Sequence, residues 1–262
     1  MTRIDSPQHP TIKRTRRLHD PDERRASGLF LAEGVRLLEE AFASGLTCEN
    51  FFYNAALLER PNGEALLARA RRAKAPLVEV SERALAALKE TKTTQGAVGL
   101  FRQPKPATPW ERPLRRGLVV IGCEIRDPGN LGTMIRMSEA AGARGLLLTG
   151  GTVDPYHPKA LRASMGSLFR LPVVVDEKFE GIVAGAQIIA AVAEGGRAPW
   201  EVDLTRPTFL LMGQEAAGLP ESMLKLATER VTIPIAPHVE SLNVAMAAAV
   251  LLYEAIRQRG RV

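Results

Sequence analysis

Leu118-Val-Val-Ile-Gly-Cys-Glu-Ile-Arg-Asp-Pro-Gly-Asn-Leu-Gly-Thr-Met-Ile-Arg136 decides the fold class. It opens on an unbroken apolar run at 118–122 and passes a glycine-rich segment into a helical pattern over 131–141. An apolar run without alternation predicts a strand covered on both faces, as in a parallel sheet. Runs of the same kind follow at 145–149, 171–175, 188–192, 209–213 and 231–235. Helical patterns separate them at 158–167 and 220–227, and a long last helix starts at about Ser241. Strands alternating with helices predict a doubly wound α/β domain over 114–262.

Upstream of it, Gln103-Pro-Lys-Pro-Ala-Thr-Pro-Trp-Glu-Arg-Pro113 holds four prolines in eleven residues. That density favours extended chain and predicts a linker over 103–113. Residues 1–102 then form a second part. Val35, Leu38, Ala41 and Phe42 fall at helical spacing, with Gly45 placed to end the helix. Strands at 51–53 and 77–80 flank a helix at 64–74, and a small α/β layer domain follows. Asp20-Pro-Asp-Glu23 reads as an acidic turn inside a basic stretch.

The chain has 262 residues, 45% apolar and 24% charged, enough to build a sizeable core. Its net charge is +6 with a pI near 9.6, which fits a polyanion partner and equally fits a basic protein without one. Residues 1–102 carry 17 Lys and Arg against 13 Asp and Glu, so most of the excess lies there. Lys13, Arg14, Arg16 and Arg17 are its densest cluster, an RNA contact or a solvated face. Cys48 and Cys123 are too few and too far apart for a disulfide framework or a zinc site. His9, His19, His157 and His238 lack ligand spacing and read as loop residues, so no metal is expected. The start lacks an apolar leader and no run is long enough to span a bilayer, which predicts a soluble cytoplasmic protein.

Three segments carry the chemistry. In the first, Gly129, Asn130 and Gly132 are read as a turn before a helix whose N–H groups can meet ligand oxygens, with Arg136 further along. Its spacing fails the G-x-G-x-x-G fingerprint. The second, Gly213-Gln-Glu-Ala-Ala-Gly218, leaves a strand with one acid, Glu215. The third, Ile233-Pro-Ile-Ala-Pro-His-Val-Glu-Ser-Leu-Asn243, offers Ser241 or Asn243 to cap the last helix.

In this order after strands, Asn130 to Arg136, Gly213 with Glu215 and Gly218, and Ser241-Leu-Asn243 resemble the three motifs of the SpoU (TrmH-like) family of SPOUT RNA methyltransferases. The stretch Asp154-Pro-Tyr-His-Pro-Lys-Ala-Leu-Arg-Ala-Ser-Met-Gly-Ser-Leu-Phe169 is similar too. Pro10-Thr-Ile-Lys13 and Phe30-Leu-Ala-Glu-Gly34 resemble the substrate-binding domain that precedes it in many members. The resemblance implies a deep trefoil knot from roughly Gly213 onward, a homodimer with the site near its twofold, and S-adenosylmethionine as methyl donor. It implies a ribose 2′-hydroxyl of RNA as acceptor, with ribosomal RNA favoured over tRNA. Arg136 is then the catalytic residue, with Asn130, Glu215, Ser241 and Asn243 completing the pocket and Gly213, Ile233 and Leu242 meeting the donor. A guanidinium stays protonated, so Arg136 reads as a positioner or charge stabiliser before a base. The apolar stretch 244–253 is a dimer contact or part of the core. A non-catalytic RNA-binding protein is the alternative, but it has no need of these residues together.

Overall fold

The computed structural model describes residues 3–90, 95–105, 117–176, 186–214 and 217–260. They sort into two units, one of Met1–Lys105 with Tyr156–Phe169, the other of Pro106–Pro155 with Arg170–Val262. Glu215 and most of the proline-rich stretch 103–113 lie outside the described residues.

The first unit begins with helices α1 (Pro10–Arg16) and α2 (Pro21–Ser27). The acidic turn expected at Asp20–Glu23 is the start of α2. Asp20 accepts from the Asp22 N–H and Pro21 takes the first helical position, where its fixed φ and missing donor cost nothing. His9 caps α1 in the same way ahead of Pro10. Strands β1 (Leu29–Glu33) and β2 (Cys48–Tyr53) flank α3 (Val35–Ala43). Then come α4 (Ala55–Leu58), α5 (Gly63–Arg72), β3 (Leu77–Glu79), α6 (Glu82–Ala86) and β4 (Ala97–Arg102). The sheet runs β1-β4-β2-β3, with β4 antiparallel to both neighbours and β3 parallel to β2.

One face of this sheet buries Phe52, Val98 and Leu100 with Ile12 of α1 and Leu85 of α6. Elsewhere in the unit Phe30, Phe51 and Phe101 are fully buried, and Phe42 of α3 meets the Phe101 ring edge-on at 5.3 Å. Phe30 also packs against Tyr156 at 4.9 Å and Phe169 at 5.6 Å, residues from far along the chain. Arg24 is buried and donates to the Leu18 and His19 carbonyls. It therefore serves the fold rather than the basic surface around it.

The second unit is a six-stranded sheet, all parallel, in the order β10-β8-β9-β5-β6-β7. β5 (Leu118–Gly122) leads to α7 (Pro128–Ala140) and β6 (Gly145–Thr149). α8 (Pro158–Ser164), which sorts with the first unit, precedes β7 (Val173–Asp176). β8 (Gln187–Ala191), β9 (Thr208–Met212), α9 (Glu221–Leu224), β10 (Glu229–Val231) and α10 (Val244–Gln258) follow. β5 and β9 are buried at every position, as their apolar runs require.

The turn expected at Gly129, Asn130 and Gly132 is already helix. Asp127 accepts from the Asn130 N–H at 2.8 Å and Pro128 stands at the first helical position, so the helix starts before the glycines. α8 stops three residues short of the expected 167 because Met165 turns left-handed, at φ 49. The pattern at 220–227 forms only the single turn of α9.

Candidate functional site

Three parallel strands of the second unit end side by side and open a cleft beyond their carboxyl ends, where ligands of such sheets bind. Ala191, Val192 and Ala193 leave β8, Met212 and Gly213 leave β9, and Val231 to Ile235 leave β10. Glu240, Ser241 and Leu242 close the cleft in front of α10. It is open to solvent, a concave and largely apolar cleft of the kind that holds small molecules. Gly213, Ile233, Leu242 and Ser241, far apart in sequence, thus line one cavity.

The walls are mostly apolar, and the ionisable lining residue among those described is an acid, Glu240. Gln214 also lines the cleft, and its Oε1 is buried without a hydrogen-bond partner. A buried acceptor left unpaired costs free energy that a ligand donor recovers. Gly213 is demanded by its own loop. A Cβ there would lie 2.4 Å from the Gly218 carbonyl carbon, and the Gln214 and Gly218 backbones pair in both directions.

Asn243 joins two elements. Its Oδ1 accepts from the Ala245 and Met246 N–H groups and caps α10, while its Nδ2 donates to Asn130 Oδ1 at 2.9 Å. The cap choice left open between Ser241 and Asn243 falls to Asn243, and it ties α10 to the first turn of α7. Arg136 stands apart. It is exposed on α7, does not line the cleft, and has no hydrogen bond or ion pair among the described residues. Six positions are about one and two-thirds turns, so Arg136 and Asn130 leave α7 on different faces.

Cys123, directly after β5, is buried, and desolvation pushes its thiol up to about 12 despite a hydrogen bond with Thr149. It is protonated at neutral pH and offers no nucleophile. Among the described residues no group of three His, Cys, Asp or Glu is placed to hold a metal. In the first unit, Lys13, Arg14 and Arg16 project from α1 into solvent while Ile12 and Thr15 anchor it. Arg17, just beyond, is exposed as well, and none of the four forms an ion pair among the described residues. Ala191, Val192, Ala193, Gln214 and Glu240 are among the cleft residues that sequence reading did not name as site residues. Gln214 and Glu240 lie inside the second and third segments, and the signal for the others was that 188–192 is one more strand of the same sheet.

Residues 117–253 match the SpoU rRNA Methylase family, and residues 9–99 match the MRM3-like substrate binding domain. A protein of Synechocystis sp. named as an uncharacterized tRNA/rRNA methyltransferase is 38% identical over 98% of this chain and 94% of its own length. The 23S rRNA (guanosine(2553)-2′-O)-methyltransferase RlmP of Bacillus subtilis is 32% identical over 97% of this chain and 98% of its own. Among solved structures, the AdoMet-bound rRNA methyltransferase from Sinorhizobium meliloti is similar with a TM-score of 0.86 and 32% identity. That likeness covers 98% of this chain and 97% of the other.

Proposed function

Because the chain belongs to the SpoU rRNA methylase family, we propose that it methylates a ribose 2′-hydroxyl of ribosomal RNA with S-adenosylmethionine as donor. The observation that carries this reading is the cleft in which Gly213, Ile233 and Leu242 meet. Its fit to the donor is chemical. Apolar walls suit the adenosine, Gln214 Oε1 is an acceptor without a donor, and Glu240 suits a cationic ligand. RlmP, similar over nearly the whole chain, supports the ribose of ribosomal RNA as acceptor.

The bound donor supplies an electrophilic methyl on a sulfonium. Gly213, Ile233 and Leu242 would hold the donor, which would give its methyl to the ribose oxygen and leave as a neutral thioether, with the hydroxyl proton passing to water. The chain holds the two reactants in line and favours charge on the oxygen. Arg136 serves the developing alkoxide or the adjoining phosphate as a fixed cation. Asn130 and Glu215 are assigned as its orienting partners, and Ser241 and Asn243 complete the pocket.

A single chain leaves Arg136 outside its own cleft, which supports a homodimer whose second copy completes each site. Met246, Val250 and Tyr253 form an exposed apolar stripe on α10, at 53%, 45% and 53% exposure, fit to be covered by that copy. The buried face of α10, with Val244, Ala248 and Leu252, belongs to the core. The same reading includes the trefoil knot from about Gly213, which membership of the family implies. RNA is met by Lys13, Arg14, Arg16 and Arg17, in the cytoplasm; no helix among the described residues is long and apolar enough to cross a membrane.

The test is single-turnover transfer of labelled methyl to ribosomal RNA beside calorimetric donor binding. Arg136→Ala is expected to lose on the order of 10²–10³ in rate with donor binding intact, and Arg136→Lys to recover little, since a point charge cannot copy the planar fork. Near-normal transfer by a folded Arg136→Ala overturns the assignment. Absence of donor binding in the wild type overturns the whole reading.

A further inference from the structure

The first unit contains a second groove, open to solvent, lined by Glu33, Gly34, Arg36, Leu37, Glu40, Gln95, Arg162 and Met165. Arg36 comes from the first turn of α3 and Arg162 from α8, well over a hundred residues later. Among the described residues neither guanidinium has a hydrogen bond or an ion pair. The carboxylates that share the groove are engaged elsewhere: Glu33 accepts from the Glu90 N–H, and Glu40 is not free either. Arg36 is also poorly placed for the helix itself. It sits at the positive end of α3, whose first turn has no acidic residue, and a cation there is disfavoured. Two exposed guanidiniums, unpaired among the described residues and brought to one groove from separate elements, one against local preference, make a pair of forks that an anion can use.

The geometry points to this groove as a subsite for a backbone phosphate of the RNA substrate, held by Arg36 and Arg162. The inference rests on the RNA reading above and extends it: the first unit grips the strand at this open groove as well as along the exposed face of α1. Guanidinium forks match phosphate oxygens two at a time, so this contact fixes register where the α1 cations supply loose attraction. Neither arginine lines the donor cleft.

The experiment measures RNA affinity against salt for the full chain and for Arg36→Ala, Arg162→Ala and the double variant. Thermal melts and donor binding serve as controls. Each arginine that contacts phosphate should lower the slope of log K against log salt by roughly 0.7–0.9. In methyl transfer KM for RNA should rise several-fold while kcat changes little. Arg162→Lys should recover part of the slope, because the charge returns without the fork. Folded variants with the wild-type slope overturn the subsite. A second arm separates this from failure of the RNA reading itself, with pyrophosphate titrated into the same proteins. If the wild type binds no RNA, pyrophosphate binding that disappears in the double variant still supports an anion site, and its absence in the wild type overturns it.

Discussion

Asn243 does two jobs that can be pulled apart. Asn243→Ala removes the cap of α10 and the bond to Asn130. A lost N-cap costs about 1 kcal/mol, and a hydrogen bond in a half-exposed setting about 0.5–1 kcal/mol. The sum, about 1.5–2 kcal/mol, lowers the melting temperature by roughly 3–8 °C for a chain of this size. Asn243→Ser keeps an oxygen for the Ala245 and Met246 N–H groups but is too short to reach Asn130. Ser caps helices about as well as Asn, so its melt should lie close to wild type. Its methyl transfer should nevertheless fall about five-fold, the effect of one lost orienting hydrogen bond of about 1 kcal/mol. Calorimetry and single-turnover transfer on the two variants give the comparison. If Ser destabilises as much as Ala, the cap argument is wrong. If Ser transfers at full rate, the Asn130–Asn243 bond is only structural.

Gly213→Ala should lower donor affinity at least about fivefold by titration, since its Cβ would lie 2.4 Å from Gly218 and forcing such a loop apart costs about 1–3 kcal/mol. Unchanged affinity would show that the loop adapts freely. Replacing Lys13, Arg14, Arg16 and Arg17 together with Ala should lower the RNA salt slope by up to about 3 with donor binding intact; an unchanged slope returns them to a solvated face. Burial pushes the Cys48 and Cys123 thiols from 9.0 up to about 12. The unfolded chain therefore ionises first, and the thiol contribution to stability is full below pH 9 and lost between about pH 9 and 12. Denaturant titrations across that window check the sign, and alkylation that runs faster in the native than in the unfolded chain would refute it.

The strands at 118–122 and 145–149 are legible to the residue because both faces of each are covered and every position but the last, Thr149, is apolar. β1 escaped for the opposite reason. Leu29-Phe-Leu-Ala-Glu33 suits a helix as well, and its pairing with β4, Leu29 opposite Arg102, decides the matter from seventy residues away. β4 escaped because Gly99 interrupts it, yet a side chain there would strike Phe101 and Leu38. At Asp20-Pro21 and Asp127-Pro128 the local signal was present and misread: an acceptor before a proline starts a helix as readily as a turn. Gly213, Ile233 and Leu242 were reached through motif resemblance, since no spacing rule places residues so far apart in one cleft. Arg36 and Arg162 had no such guide; only the folded chain brings them to one groove.

The first unit is not continuous in the chain. Phe30 finds its partners Tyr156 and Phe169 only after β5, α7 and β6 have been made. During synthesis at ordinary speeds the ribosome reaches Phe169 on the order of 3–13 s after Lys105. Through that interval Phe30 lacks two of its aromatic neighbours, and the first unit waits for the second to be started. A gene cut at the proline-rich stretch separates Phe30 from those rings for good. The workable division of this protein is therefore a matter of which segments travel together, and a cut at 105/106 alone leaves 156–169 on the wrong piece.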